Sequence, residues 1–295
     1  MRLSIRHETR YEYERPVTFT PHRLLLRPRD SHALRLLGAS MELSPPGETR
    51  WMYDALGNCV CMLTPIGEAT SLRIVSNLTL ERYPTPLVPP IDDPHSAFPI
   101  VYDPADRLLL APLMSPATDD QDADILTWLR GYIGHPSEPA LYLIERLNTA
   151  IHRDFSYGER HEHGVQSPSE TLRLRAGTCR DFAWLMVEAL RRLGFAARFV
   201  TGYVHCPGAQ AGSMRGAGAT HAWCEVFLPR LGWTEFDPTN GLAESPHLIA
   251  VAVARTPAEA APVTGALIGD PGKAELHVAV SVLLLQEEDA AAVAA

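Results

Sequence analysis

Apolar and polar side chains alternate with a period of two over much of the first 83 residues. Two stretches carry it best: Arg2-Leu3-Ser4-Ile5-Arg6-His7-Glu8-Thr9-Arg10-Tyr11 and Arg73-Ile74-Val75-Ser76-Asn77-Leu78-Thr79-Leu80. A strand turns successive side chains to opposite faces, so this period predicts half-buried strands. Asp54-Ala55-Leu56-Gly57-Asn58 reads as a turn into Cys59-Val60-Cys61-Met62-Leu63. No helical period is sustained there, and residues 1–83 are expected to form a small antiparallel sandwich or barrel. Nine prolines then fall between Pro84 and Pro116. Proline fixes φ and lacks an N–H, so 84–118 is expected as a connection without regular helix or central strand over most of its length. Its Phe98, Ile100, Val101 and the three leucines at 108–110 predict that it lies against the protein.

Beyond residue 118 the period changes. Residues 120–133 open on acidic side chains, which suit the positive end of a helix. Residues 139–153 place Ala140, Ile144, Leu147 and Ile151 on one stripe, and a short helix is expected over 169–174. The fullest helical pattern starts at Cys179. Phe182, Leu185, Met186, Ala189, Leu190 and Leu193 recur on one face, and Gly194 suits a left-handed cap. Strands are expected at 197–203, 219–228 and 232–236, with Pro229-Arg230-Leu231 as a hairpin turn and a glycine-rich loop at 207–218. Residues 246–286 predict one or two further strands, 274–285 the clearest, packing on the N-terminal domain or on the core. Residues 287–295 read as a disordered tail. The pattern is that of an α+β protein, with a small all-β domain ahead of a catalytic core over 119–245.

A length of 295 residues leaves ample core for folding without staples. The net charge of −9 speaks against a nucleic-acid partner, which usually needs a clustered basic face. No run of 18 uncharged apolar residues predicts a membrane span, and the first eight residues hold no apolar stretch for a signal peptide. Five cysteines in a chain this long do not make a disulfide framework. Cys59 and Cys61 would share one face of a strand and are poorly placed to bridge each other. Cys206 and Cys224 read as buried thiols. A reduced, cytoplasmic protein is expected.

Candidate chemistry lies in three segments: Gly177-Thr178-Cys179-Arg180-Asp181, then Thr220-His221-Ala222-Trp223, then Trp233-Thr234-Glu235-Phe236-Asp237-Pro238-Thr239-Asn240. With Thr178 as N-cap, Cys179 becomes the first helical residue and Asp181 the third, close to a capping box. Free N–H groups and the helix dipole favour an anion there, and the Cys179 N–H is available to an oxyanion. Odd-numbered residues of 219–228 share a face, as do Trp233, Glu235 and Asp237. If the hairpin loop has an odd number of residues, His221 and Asp237 lie on one surface, within about one residue pair of each other. Taken singly, Cys179 reads as a small buried hydrophobe, His221 as a satisfied strand histidine and Asp237 as a turn residue. Thiol, imidazole and carboxylate together are the parts of a cysteine nucleophile. Tyr157 and Gln166 are both candidates for a second oxyanion donor. Trp223 reads as core or as a wall of the cleft. His161 and His163 lack a partner pair at zinc-ligand spacing, so neither metal nor cofactor is expected.

These segments, with Leu193-Gly194-Phe195-Ala196-Ala197-Arg198-Phe199-Val200-Thr201-Gly202-Tyr203, resemble the bacterial transglutaminase-like superfamily. This is the papain-like group of cysteine proteases and amide acyl-transferases. His7-x-Thr9-x-Tyr11-x-Tyr13 and Asp54-x-x-Gly57-Asn58 resemble the β domain that precedes the core in one branch. Residues 249–253 and Ala261-Pro262-Val263-Thr264-Gly265 are similar to that branch's C-terminal part. Relatives often carry a histidine where this chain has Trp184, and an aromatic-acidic stretch in place of Thr256-Pro257-Ala258-Glu259. The resemblance implies Cys179 as nucleophile, His221 as general base and acid, and Asp237 as its orienter. It implies a papain-like core in which a helix bearing the cysteine packs on an antiparallel sheet. The expected activity is thiol-dependent acyl transfer from a peptide or protein amide, by hydrolysis or, alternatively, onto an amine. A non-catalytic module retaining the fold and a zinc hydrolase are the competing readings.

Overall fold

The computed structural model describes residues 1–83, 97–119, 123–135, 137–158, 164–206, 214–216 and 218–285. Outside them lie the tail expected at 287–295, the histidines at 161 and 163, and most of the 207–218 loop. Also outside are 84–96 and the first residues of the helix expected from 120.

The N-terminal alternation becomes six strands: β1 (Arg2–Phe19), β2 (His22–Arg27), β3 (Leu34–Ser44), β4 (Gly47–Tyr53), β5 (Cys59–Pro65) and β6 (Glu68–Arg82). Leu3, Ile5, Leu72, Ile74, Leu78 and Leu80 are buried, as the period of two requires. The next helices are α1 (Pro104–Met114), α2 (Asp124–Arg130) and α3 (Ala140–Asp154). Strands β7 (Ser156–Tyr157) and β8 (Ala176–Gly177) form a short parallel pair on either side of α4 (Pro168–Leu174). Then come α5 (Cys179–Arg192), β9 (Ala197–Val204), β10 (His221–Leu228), β11 (Gly232–Asp237), β12 (Leu242–Ala243) and β13 (Leu248–Ala254). The chain closes with β14 (Val263–Thr264), β15 (Leu267–Ile268) and β16 (Ala274–Leu284).

Two readings of the sequence are corrected. The proline-rich connection contains α1. Pro104 sits at the start of α1, where its missing N–H has no intrahelical acceptor to lose, and Pro112 falls in the last turn. Helix α2 is shorter than 120–133 and begins at Asp124, behind Ala123 in a left-handed conformation.

The core sheet runs β12-β11-β10-β9-β13, antiparallel throughout. Helix α5 packs on one face. Phe182, Leu185, Met186, Ala189 and Leu190 join Ala222, Cys224, Val226 and Phe236 in one cluster. The three-residue hairpin sets the β10–β11 register, with Cys224 opposite Phe236 and Glu225 opposite Glu235. Paired numbers sum to an even value, so odd-numbered residues of both strands share the face away from α5.

The C-terminal segment divides between the two parts. Strand β13 completes the core sheet on β9, whereas β16 pairs along β1, and β14 and β15 close the edges at β2 and β1. The N-terminal strands form two antiparallel sheets, β15-β1-β6-β3 with β16 on β1, and β14-β2-β5-β4. Leu3, Ile5, Leu78 and Leu80 pack against Tyr203, Ile249 and Val251 of the core. Polar contacts fix that junction. His7 Nδ1 lies 2.9 Å from the Tyr203 hydroxyl, and its Nε2 lies 3.0 Å from Thr9 Oγ1. The Asn58 amide donates to the Val253 carbonyl and accepts from the Val253 N–H, at 2.7 and 2.8 Å, as an added strand would. Arg82 donates to the Leu248 carbonyl and pairs with Glu235 at 3.0 Å. Among the described residues no helix is long and apolar enough to cross a membrane.

Two predictions follow from the junction. Asn58→Ala leaves both main-chain groups of Val253 without their partner. It is expected to cost about 1–3 kcal/mol in urea denaturation; an unchanged midpoint would show that the amide does not brace β13. Burial lowers His7 to about 4, so it is neutral in the fold. The unfolded chain takes up that proton below about 6.5. Stability from this contact is therefore complete above that pH and is lost as pH falls toward about 4. Chemical denaturation of wild type and His7→Phe across this window should show a flatter acid limb in the variant.

Candidate active site

One wall of the site is the start of α5. Thr178 is the N-cap, and the Asp181 carboxylate accepts from the Thr178 N–H at 2.8 Å and from its hydroxyl at 2.9 Å. The other carboxylate oxygen accepts from the Gln166 N–H at 2.8 Å. Asp181 thus binds the loop before α4 to the first turn of α5. Gly177 leaves it room, since a Cβ there would stand 2.8 Å from the Asp181 Cβ. Cys179 opens the helix at 7 % exposure, reachable but shielded. As a first-turn residue its N–H has no intrahelical acceptor.

The facing wall is β10 and β11. His221 Nε2 lies 2.8 Å from Asp237 Oδ2, and neither side chain is exposed. Every other lone pair of the carboxylate is occupied as well. Asn240 Nδ2 donates to Oδ2 at 2.8 Å, while the Thr239 and Asn240 N–H groups donate to Oδ1 at 2.9 and 3.3 Å. The remaining ring nitrogen, Nδ1, is sealed from solvent without a conventional hydrogen-bond partner. It is the nitrogen left for Cys179, whose thiol interacts with this ring. Burial is the largest influence on the imidazole and disfavours its charge. The Asp237 carboxylate and Cys179 outweigh it and push His221 up to about 10. Burial likewise opposes ionisation of Asp237, but the imidazolium, Asn240 and the Thr239 N–H hold its carboxyl below the ordinary range. An imidazolium–carboxylate pair therefore stands beside the sulfur at neutral pH.

Around these residues the structure gathers Asn240 and Gly216, to which the sequence assigned no role. Asn240 accepts from the Arg215 N–H at 2.8 Å and donates to the Arg215 carbonyl at 3.2 Å, so it anchors both Asp237 and the loop before β10. Gly216 follows, and a Cβ on it would stand 2.6 Å from His221 Nδ1. With φ at +88° it suits glycine twice over. Its sign in the sequence was a glycine five residues before the histidine, hidden among other glycines. Trp223, left between core and cleft wall, is fully buried. Its ring lies against His221 at 5.9 Å, and its Nε1 donates to Glu235 at 3.2 Å. Gly202 pairs with His221, and a side chain there would collide with the Trp223 ring and the Ile249 carbonyl.

Of the two candidate oxyanion donors, Gln166 adjoins the α5 start through Asp181, and its Oε1 accepts from the Thr171 hydroxyl at 3.0 Å. Tyr157 sits on β7 opposite Gly177. All five cysteines are free. Burial pushes Cys59, Cys206 and Cys224 up and takes Cys61 to about 11, which favours the unreactive thiol at each.

Comparison with known proteins agrees with this architecture. Residues 3–81 match the bacterial transglutaminase-like N-terminal region, and residues 127–238 match the transglutaminase-like superfamily. The chain belongs to the transglutaminase-like superfamily. It is 28% identical over 302 residues to an uncharacterized protein of Mycobacterium tuberculosis, covering 96% of this chain and 92% of that one. An uncharacterized protein of Mycobacterium leprae is 26% identical over 286 residues, covering 96% and 99%. The crystal structure of a candidate cysteine protease from Cytophaga hutchinsonii superposes with a TM-score of 0.69 at 20% identity, covering 97% of this chain and 92% of that one. The transglutaminase-like fold is therefore shared over nearly the whole length.

Asp237→Asn removes the charge that sustains the imidazolium. NMR titration of His221 should find its pKa falling from about 10 toward the ordinary value of about 6.5. In the wild type this raised pKa stabilises the fold fully below about 6.5, and the contribution is lost as pH rises through about 10. The variant should lack that alkaline loss. An unshifted His221 titration would mean that Asp237 does not set its charge.

Proposed function

We infer that the protein is a thiol-dependent amide acyl-transfer enzyme that forms a thioester on Cys179 and, in the main, hydrolyses it. The observation that carries this reading is the buried His221–Asp237 ion pair beside a sulfur at a helix start. Buried ion pairs also occur away from the site, as at Arg191–Glu188; this one differs in holding an imidazole, able to carry a proton, beside a thiol at a helix start.

The chemistry is that of a nucleophile assisted by one proton carrier. The Cys179 sulfur bonds to the amide carbonyl carbon, and the carbonyl oxygen becomes an oxyanion. The Cys179 N–H donates to that oxygen, with the Gln166 amide as the second donor. As the tetrahedral species collapses, the C–N bond breaks and the leaving amine takes the proton of the His221 imidazolium. The now neutral imidazole then removes a proton from water as the water oxygen bonds to the thioester carbonyl. The C–S bond breaks, the carboxylic acid departs, and the proton is again on His221. Asp237 stays ionised throughout, holding Nε2–H so that Nδ1 faces the reaction. An amine in place of the water would give a new amide by the same steps. A reducing, cytoplasmic setting suits a free nucleophilic thiol, and the five unbridged cysteines support it.

Wild type and Cys179→Ala should be incubated with a peptide digest of a cell lysate, and the amide bonds that change read by mass spectrometry. Cleavage by the wild type is expected to fall about ten-thousandfold, in effect to background, in the variant. Carboxylic-acid products indicate water as acceptor; incorporation of added methylamine indicates an amine. Identical digests from the two proteins would sink the assignment.

A further inference from the structure

Two guanidinium groups flank the reacting residues, and among the described residues neither pairs with a carboxylate. Arg180 follows the nucleophile on α5 and is exposed, and its Nη2 comes within 3.5 Å of Thr220 Oγ1, the residue before His221. It therefore reaches from the helix that carries the sulfur to the strand that carries the imidazole. Arg215 approaches from the loop. Its main chain is gripped at both N–H and C=O by Asn240, and the adjoining Gly216 lies against His221 Nδ1. The Arg215 guanidinium stands 5.8 Å from the centre of the Tyr157 ring, and Tyr157 pairs with Gly177, two residues before Cys179. It too crosses between the two walls.

The buried Arg82 and Arg191 and the half-buried Arg198 are neutralised where they stand, by Glu235, Glu188 and Glu225. With 35 acidic residues against 26 basic ones, this chain is acidic overall. Arg180 and Arg215 bring two cations to the site. Guanidinium is weakly hydrated, and its planar fork matches a carboxylate with two parallel hydrogen bonds.

We propose that Arg180 and Arg215 bind a carboxylate of the substrate, so that this site selects amides flanked by acidic groups, as in peptides rich in aspartate or glutamate. The proposal rests on Cys179 being the nucleophile. Holding a carboxylate at the rim orients the neighbouring carbonyl over the sulfur. A glutamine or asparagine in its place keeps the shape and loses the charge-assisted contacts.

Iodoacetate and iodoacetamide test this directly. They differ only in a carboxylate against a neutral amide, and with each the sulfur bonds to carbon as iodide leaves. The iodoacetate to iodoacetamide rate ratio at Cys179, followed by peptide mass spectrometry, should exceed that for free glutathione. In the Arg180→Gln/Arg215→Gln double variant it should fall about tenfold, and each single variant should fall part of the way. The Arg180→Lys/Arg215→Lys pair keeps both charges and loses the planar fork, so it should restore the ratio in part, which a merely structural role would not. Raised salt should lower the wild-type ratio. The imidazolium attracts iodoacetate in every variant, so the change between variants reports the arginines. An unchanged ratio in the glutamine pair, with Cys179 still labelled, overturns the proposal and leaves the nucleophile standing. If neither reagent labels Cys179 in the wild type, the nucleophile reading fails and this one fails with it.

Discussion

A charge pair held where water does not reach governs the design of this protein. Moving an imidazolium and a carboxylate out of water costs several kcal/mol for each ion, and their attraction offsets this only when the geometry is good and the remaining lone pairs are filled. His221 and Asp237 meet that demand through Thr239 and Asn240, whose N–H and amide groups complete the carboxylate's shell. Those donors come from the turn after β11, and the imidazole comes from β10. The pair thus exists only in one hairpin register. A slip by one residue would carry His221 to the α5 face, among Ala222 and Cys224, and away from Asp237.

The sulfur reaches this pair by a separate route. Asp181 ties the first turn of α5 to the loop at Gln166, and the apolar stripe of α5 presses the helix onto the sheet. The N-terminal strands enter at one remove. They brace β9 and β13 through His7–Tyr203, Asn58–Val253 and the Arg82–Leu248 contact. Gly202 stands directly across from His221 on β9, with Ile249 of β13 pressed against it. The bracing is therefore passed to the strand beside the imidazole, while the N-terminal strands themselves stand one layer away from the His221–Asp237 pair.

This division explains what could be read from the sequence. The placement of Cys179 at a helix start, and of His221 and Asp237 on one face of a hairpin, was legible because the helical and strand periods on either side are unbroken. The α5 stripe and the alternation of β1 and β6 were legible because burial on one face imposes a period. Asn240 was not: its part depends on a turn that brings its side chain back to Asp237 and its far end to Arg215. Helix α1 was hidden because prolines argue against helix on average, whereas at a first turn they fit it. The division of residues 246–286 between β13 and β16 was equally out of reach, since the partners of both strands are set by tertiary packing.

The cysteines sharpen the point. Cys206 lies near enough to His221 for the imidazolium to favour its ionised form, yet burial dominates and pushes that thiol up. Proximity to the histidine is thus not sufficient to make a nucleophile. Cys179 differs in its backbone. It begins α5, where the first N–H groups have no intrahelical acceptor. A thiol such as Cys224, in the middle of β10, is held in its neutral form by burial first and then by the Glu225 and Asp237 carboxylates. The proposed choice of one sulfur among five rests on where a helix begins relative to a strand that sits 42 residues further along the chain.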